Sequence, residues 1–281
     1  MDPYVFAAVL FAAACHAGWN AVIKVGLDPF TTTALIAIAA GFVAVPVLPF
    51  VGLPIVAAWP WVIASVILHL AYYIGLTEAY RTGDMGQVYP IARGSAPLMT
   101  AGVSTLWLGE KLGIVGWLGI GVLVAGVFLL SMRGGRDLAK IDRRAVGFAL
   151  FTAVTICAYS VVDGVGARIA GNAHAYSAML FVLDGAMMAL FALLRNGPGV
   201  VPDMLRYWKP GFIGGTLSLA AYWIAIWAMT VAPIALVAAL RETSVLFGAA
   251  IAVVILKEPL RGARIVAAMM IVCGLALIRL Q

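Results

Sequence analysis

Two arginines, Arg93 and Arg241, stand inside long apolar runs. A charge at the centre of a membrane helix costs about 2.5–3.5 kcal/mol on insertion scales, so it faces a cavity or a partner. Counted at helical rise, Arg93 lies roughly 10 Å into its segment and Arg241 roughly 12 Å into its own. Two guanidiniums beside one cavity favour an anionic group such as a carboxylate or phosphonate, which arginine grips bidentately. The alternative is that each pairs with a nearby acid or with backbone carbonyls and holds the chain together.

Polar and aromatic residues recur at helical spacing elsewhere. His16, Trp19, Asn20 and Lys24 share one face of the first apolar segment. His69, Tyr73, Thr77 and Tyr80 form a similar stripe, with Tyr72 beside it. Tyr159 and Asp163 share a face, while Tyr222, Trp223 and Trp227 crowd one segment. Such stripes supply hydrogen bonds and aromatic walls to a polar cavity, or else interhelical bonds. The substrate-contacting set expected from these patterns is Trp19, Asn20, His69, Tyr73, Arg93, Tyr159, Trp223, Trp227 and Arg241. Asp184, in mid-segment, and Glu242, next to Arg241, are the candidate proton-coupling acids, with a structural role as the alternative. Glu78 falls at a segment end, within reach of the headgroup region.

No pattern here resembles a catalytic set. Asp163, Asp184 and Glu242 are single and scattered, without the clustered acids or nucleophile–base pair an enzyme needs. Neither His16 nor His69 belongs to a metal-binding motif. Cys15, Cys157 and Cys273 lie in apolar segments without CxxC spacing and read as small packing residues. No phosphate-binding GxxxxGK[ST] loop occurs, which disfavours a self-contained ATPase. Neither a cofactor nor a metal is expected.

The elements that position these residues follow from composition. Of 281 residues 64% are hydrophobic and 11% charged, far below the usual charge of a soluble domain. Apolar runs long enough to cross a hydrocarbon layer recur throughout. The expected fold is an all-α integral membrane protein with ten transmembrane helices, near 3–24, 30–52, 59–81, 86–109, 112–132, 145–166, 173–195, 210–230, 233–256 and 260–280. A basic linker, 133–144, separates a first five-helix repeat (1–132) from a second (145–281).

The halves resemble each other. An offset of 148 positions superposes Arg93 on Arg241, Glu110 on Glu258 and Gly126 on Gly274, among nine identities over residues 93–129. Five is odd, so the second repeat enters the membrane inverted, as in secondary transporters whose substrate site lies at the repeat interface. The ends bearing Glu110 and Glu258 read as caps or turn-fixing positions. Small residues, Gly121 with Ala125 and Gly214 with Gly215, permit close helix approach within one chain or between two. Homodimerisation is thus open but not indicated.

The net charge of +6 is concentrated in short loops beside membrane segments, a topology signal rather than a nucleic-acid surface. A cytoplasmic N-terminus would leave three basic residues inside (Lys111, Arg168 and Arg279) against thirteen outside, so loop charge favours both termini outside. The N-terminus, MDPYVFAAVL, lacks signal-peptide features and is read as the start of a retained helix.

The stretch LHLAYYIGLTEAYRTGDMGQVYPIARGSAPLMTAGVSTLWLGEKL resembles the third and fourth helices of the EamA family in the drug/metabolite transporter superfamily. ALRETSVLFGAAIAVVILKEPL is similar to the corresponding ninth-helix signature. The resemblance covers nearly the whole chain, and its motifs are diffuse. It implies ten helices, a cavity lined mainly by the first, third, fourth, sixth, eighth and ninth, alternating access, and support roles for the fifth and tenth. It also implies cytoplasmic termini, against the charge count. The opening HAGWNAVIK is similar to a subgroup with members encoded near phosphonate-use genes. The expected function is a secondary transporter for a small polar metabolite of amino-acid or organic-anion class, in a bacterial-type cytoplasmic membrane. Its partners would be that small-molecule substrate and the lipid bilayer, with no nucleic acid. A lipid-linked substrate flippase is the alternative, and a membrane enzyme or scaffold a more distant one.

Overall fold

The computed structural model describes residues 1–22, 27–82, 85–131, 142–254 and 262–281, which are mostly helical with no strand among them. Lys24, Lys257, Glu258, residues 133–141 of the expected linker and the side chain of Tyr80 lie outside what it describes.

The helices, in chain order, are α1 (Pro3–Val22), α2 (Pro29–Ala44), α3 (Leu48–Val51), α4 (Trp59–Thr82), α5 (Met85–Leu106), α6 (Ile114–Ser131), α7 (Arg143–Ala170) and α8 (Ala173–Asn196). After the short α9 (Val200–Arg206) come α10 (Trp208–Val231), α11 (Ile234–Arg241), α12 (Ser244–Val254) and α13 (Gly262–Leu280). A 3-10 turn, Val45–Val47, joins α2 to α3.

Seven spans among the described residues are long and apolar enough to cross a bilayer, and Ile114–Leu130 is a shorter apolar helix. The expected first and fourth segments form α1 and α5, which are not among the seven. Large apolar side chains such as Phe11, Phe42, Phe50, Trp107 and Met269 point outward, as they do where the surroundings are lipid. Arg93, Asp163, Asp184, Arg241 and Glu242 are buried. This is an integral membrane protein with its polar chemistry inside.

Local chemistry sets several helix starts. Asp28 accepts the backbone N–H groups of Phe30 (3.0 Å) and Thr31 (3.1 Å), with Pro29 at the first helical position. Asp142 caps α7 through Arg144 N (2.9 Å). Gly171, at φ 65°, ends α7 in the left-handed region, and Asn172 then caps α8 through His174 N (3.0 Å) and Ala175 N (3.2 Å).

The expected ninth segment is not one helix. It breaks at Glu242–Thr243, where i→i+3 bonds replace the α pattern: Glu242 N to Ala239 O (3.1 Å), Thr243 N to Leu240 O (3.1 Å) and Val245 N to Glu242 O (3.1 Å). The Thr243 hydroxyl also donates to Leu240 O (2.7 Å), competing with the backbone ladder.

The packing pairs each half of the chain with the other. Helix α4 packs on α7 as α10 packs on α1, and α2 meets α8 as α6 meets α13. The α6–α13 contact is reciprocal at the offset of 148. A Cβ on Gly274 would lie 2.8 Å from Gly119 O, and one on Gly126 would lie 3.0 Å from Ala267 O. The α2–α8 contact is reciprocal at an offset of 144. Gly41 meets Phe181 O at 2.8 Å, and Gly185 meets Ala37 O at 3.0 Å by the same measure. Only hydrogen in place of a side chain lets these backbones come so close.

Candidate functional site

Helices α5 and α11 cross at the centre, bringing Arg93 and the Arg241–Ser244 break together. Arg93 Nε lies 3.0 Å from Glu242 Oε2, both side chains 5% exposed, and an Nη of Arg93 donates to Ser244 Oγ at 3.4 Å. Sequence reasoning left substrate contact and acid pairing open for Arg93; it pairs with Glu242. Arg241 instead places its guanidinium carbon 4.6 Å from the centre of the Tyr222 ring and makes no hydrogen bond or ion pair among the described residues.

Both arginines line a cavity of about 10 Å³ with Glu242, Tyr159, Ser160 and Thr100. That volume holds about one water molecule. The space between α5, α7 and α11 is thus too small in this structure for anything much larger than water.

Beside the arginines lies a layer of phenols, imidazole and carboxylates. Tyr159 stacks on His69 with ring centres 4.3 Å apart, and Tyr222 meets both rings edge-on at 5.7 and 5.5 Å. Asp163 is fully buried and accepts from the Tyr176 hydroxyl (2.9 Å) and the Tyr222 hydroxyl. The Ser65 hydroxyl lies 3.1 Å from His69 Nδ1, which is 2.9 Å from the Ser65 carbonyl. Each oxygen of the Asp163 carboxylate thus has a phenol donor, while Asp184 has one: Tyr73 donates to its Oδ2 at 3.1 Å, and Oδ1 has no hydrogen-bond partner. An acid so sparsely held has acceptor capacity left for a proton or a cation.

The α1 stripe folds partly on itself. Trp19 Nε1 donates to His16 Nδ1 (3.2 Å), and the Asn20 amide donates to the His16 carbonyl (2.8 Å). His16 is the member within electrostatic range of Arg93 and Arg241. In α10, the half-buried Trp223 donates to the exposed His174 Nδ1 at 2.9 Å, away from the arginines, and Trp227 packs half-buried against the core. The structure therefore gathers His69, Tyr73, Tyr159, Arg93, Arg241 and Glu242 around the centre, with Asp184 beyond Tyr73. It does not bring Trp223 or Trp227 to that cavity.

Asp163, Tyr176, Tyr222, Ser65 and Ser244 were not in the expected set. The four-residue spacing of Tyr159 and Asp163 was the one legible signal for Asp163. Tyr176, in an otherwise apolar run, offered none. Among the described residues no group of three His, Cys, Asp or Glu side chains is arranged for a metal. Cys15 and Cys157 are buried as packing residues would be, whereas Cys273 is exposed on the outer surface.

A second polar cluster sits at one end of the bundle. Glu110, in the α5–α6 connection, accepts Ile234 N (2.9 Å) and Ala235 N (3.4 Å), capping α11 from a distant part of the chain. Arg168, at the end of α7, holds Glu110 at 2.8 Å and donates to Met229 O (2.8 Å) and Ala232 O (3.1 Å). Both termini lie near α6 or each other: Gln281 Oε1 accepts Gly116 N (3.1 Å), and Arg279 donates to Met1 O (2.9 Å). Elsewhere Glu78 pairs with Arg81 (3.2 Å) and lies 3.9 Å from Arg195.

A helical membrane bundle whose halves interlock reciprocally around buried arginines belongs to the class of two-repeat transporters. The model of the EamA-like transporter family matches residues 4–132 and 143–280, so the chain belongs to that family and is a membrane transporter of the drug/metabolite type. A solved crystal structure of a protein matches over 99% of this chain and 96% of its own, with a TM-score of 0.80 at 22% identity, a likeness of fold. No curated protein matches the sequence.

Proposed function

We propose that the protein is a secondary transporter that moves a small polar metabolite, of amino-acid or organic-anion class, by alternating access between two inverted five-helix repeats, 1–132 and 145–281, joined by the basic linker 133–144. The observation that carries this reading is the meeting of Arg93 and Arg241, related by the offset of 148, at one closed cavity between the halves. Reciprocal glycine contacts in α2–α8 and α6–α13 support a pseudo-two-fold relation. A bundle built this way has two similar ways to close, one at each face, which is what alternating access requires. The Glu110–Arg168 clamp is the closure at one face. Asp184, with its free acceptor, and Glu242 are the groups proposed to couple transport to protons. The termini are proposed to face out of a bacterial-type cytoplasmic membrane, on the loop-charge argument.

The test is thermal stability of the purified protein against amino acids, organic acids, aminophosphonates, nucleosides and lipophilic cations, followed by uptake of any stabilising compound into proteoliposomes. A ligand selective for the folded state raises stability with occupancy. Saturable uptake of a small polar solute supports the carrier. Movement of a lipid-linked compound between leaflets, with no solute uptake, replaces it with the flippase reading.

A further inference from the structure

We propose that the substrate is held as a single anionic group by Arg241, and that Arg93, neutralised by Glu242, positions the site rather than binding the ligand. The proposal rests on the carrier reading above and assigns its charge selectivity.

The argument is one of broken symmetry. The offset that superposes Arg93 on Arg241 superposes Gly94 on Glu242. A symmetric site would give each arginine a carboxylate from the opposite repeat. Arg93 has one, at 3.0 Å. The equivalent partner for Arg241 would stand at Gly94, which has no side chain, and the space a Cβ would need there is filled by the Phe128 ring. Arg241 is 8% exposed, forms no hydrogen bond or ion pair among the described residues and lines the cavity. Its guanidinium stands over the Tyr222 ring, within electrostatic range of Glu242.

A buried cation without a counter-ion is costly, and an anion from outside supplies what the chain does not. With Arg93 and Glu242 cancelling, the net charge of the described residues lining the cavity is that of one guanidinium. Tyr222 covers that group and leaves its N–H fork for a carboxylate. A dianion would bring a second charge into the same space without a partner. The small side chains of Ala96, Ser160 and Ala238 line the space beside Arg241. The break at Glu242–Thr243, bridged by i→i+3 bonds, places a hinge next to the binding cation.

The test uses the purified full chain and proteoliposomes, with amino acids, short-chain monocarboxylates and dicarboxylates matched to them in carbon number. In the wild type, monocarboxylate-type ligands are expected to stabilise the protein at concentrations at least about tenfold below their matched dicarboxylates. Arg241→Gln loses that response. Glu242→Gln, which adds one positive charge to the site, shifts preference towards dicarboxylates. The double variant Arg93→Gln/Glu242→Gln removes the pair as a unit, guards against misfolding from a stranded charge, and keeps the monocarboxylate preference. Equal or tighter dicarboxylate binding by the wild type, a response surviving in folded Arg241→Gln, or no response to any carboxylate overturns the proposal. Solute uptake that is indifferent to Arg241→Gln overturns it and leaves the carrier standing. Carboxylate binding lost in Arg241→Gln without uptake of any solute keeps the anion site and removes the carrier.

Discussion

Helix α5 and the α11–α12 pair occupy equivalent places in the two halves, and their central residues behave differently. Arg93 sits in a continuous helix and is matched by Glu242 at 3.0 Å. Arg241 sits at the end of a broken one and is matched by an aromatic face. One duplicated position has become an ion pair within the chain, and the other is the cation proposed to take a ligand. Duplication supplies two similar backbones. A single neighbouring residue, glycine in one and glutamate in the other, decides which arginine is spoken for.

The comparison fails if the two arginines cost the same to remove. Arg93→Leu or Glu242→Leu leaves a buried charge stranded and is expected to cost about 3–5 kcal/mol. Arg241→Leu removes only a cation–π contact, worth about 0.5–2 kcal/mol. The folded fraction surviving heating in detergent, followed by size-exclusion, reads the difference. Equal losses would mean that Arg241 has a structural partner after all.

The end of the bundle gives the next effect. Arg168→Ala removes the ion pair with Glu110 and the donors to two backbone carbonyls, and is expected to cost about 1.5–3 kcal/mol. It should also raise the accessibility of a cysteine introduced at Ser160 to thiol reagents from that face. Unchanged labelling would remove the clamp from the gating account.

The symmetry itself can be sharpened at the glycines. Gly126→Ala and Gly274→Ala meet backbone atoms at 2.9 and 2.7 Å respectively, and each is expected to cost about 1–3 kcal/mol. Because the positions are equivalent, the two losses should agree. A large difference would show that the halves do not share the load at this crossing.

The smallest effect distinguishes ring from hydroxyl. Tyr222→Phe keeps the aromatic face under Arg241 and removes one donor to Asp163, for a loss of about 0.5–1.5 kcal/mol with anion binding retained. Loss of binding in this variant would tie the ligand to the Asp163 network rather than to Arg241 alone.

Much of this was legible in the chain. Apolar runs and charged breaks located the helices to within a few residues, because a segment in lipid must satisfy its backbone internally and advertise its ends with polar residues. The offset of 148 found in Arg, Glu and Gly pairs reappeared as reciprocal contacts in α6–α13. The α2–α8 contact, offset by 144, did not show in the sequence, because four residues of register are lost between these segments and the ones aligned. The tryptophans of α10 were expected at the cavity because their spacing is that of an aromatic wall. Spacing gives a shared face but not its azimuth, and here Trp223 turns towards His174.

The sequence by itself determined that the chain crosses a membrane, that its halves are copies, and that two arginines, one from each, are too costly to leave in lipid. These follow from composition, periodicity and the price of a charge in hydrocarbon. The tertiary structure decided which arginine is neutralised, that Asp163 gathers Tyr176 and Tyr222, and that Glu110 caps a helix more than a hundred residues away. Each of those depends on which faces of distant helices meet. Pairing across a bundle is set by close packing of whole surfaces at small residues, and no local pattern encodes it.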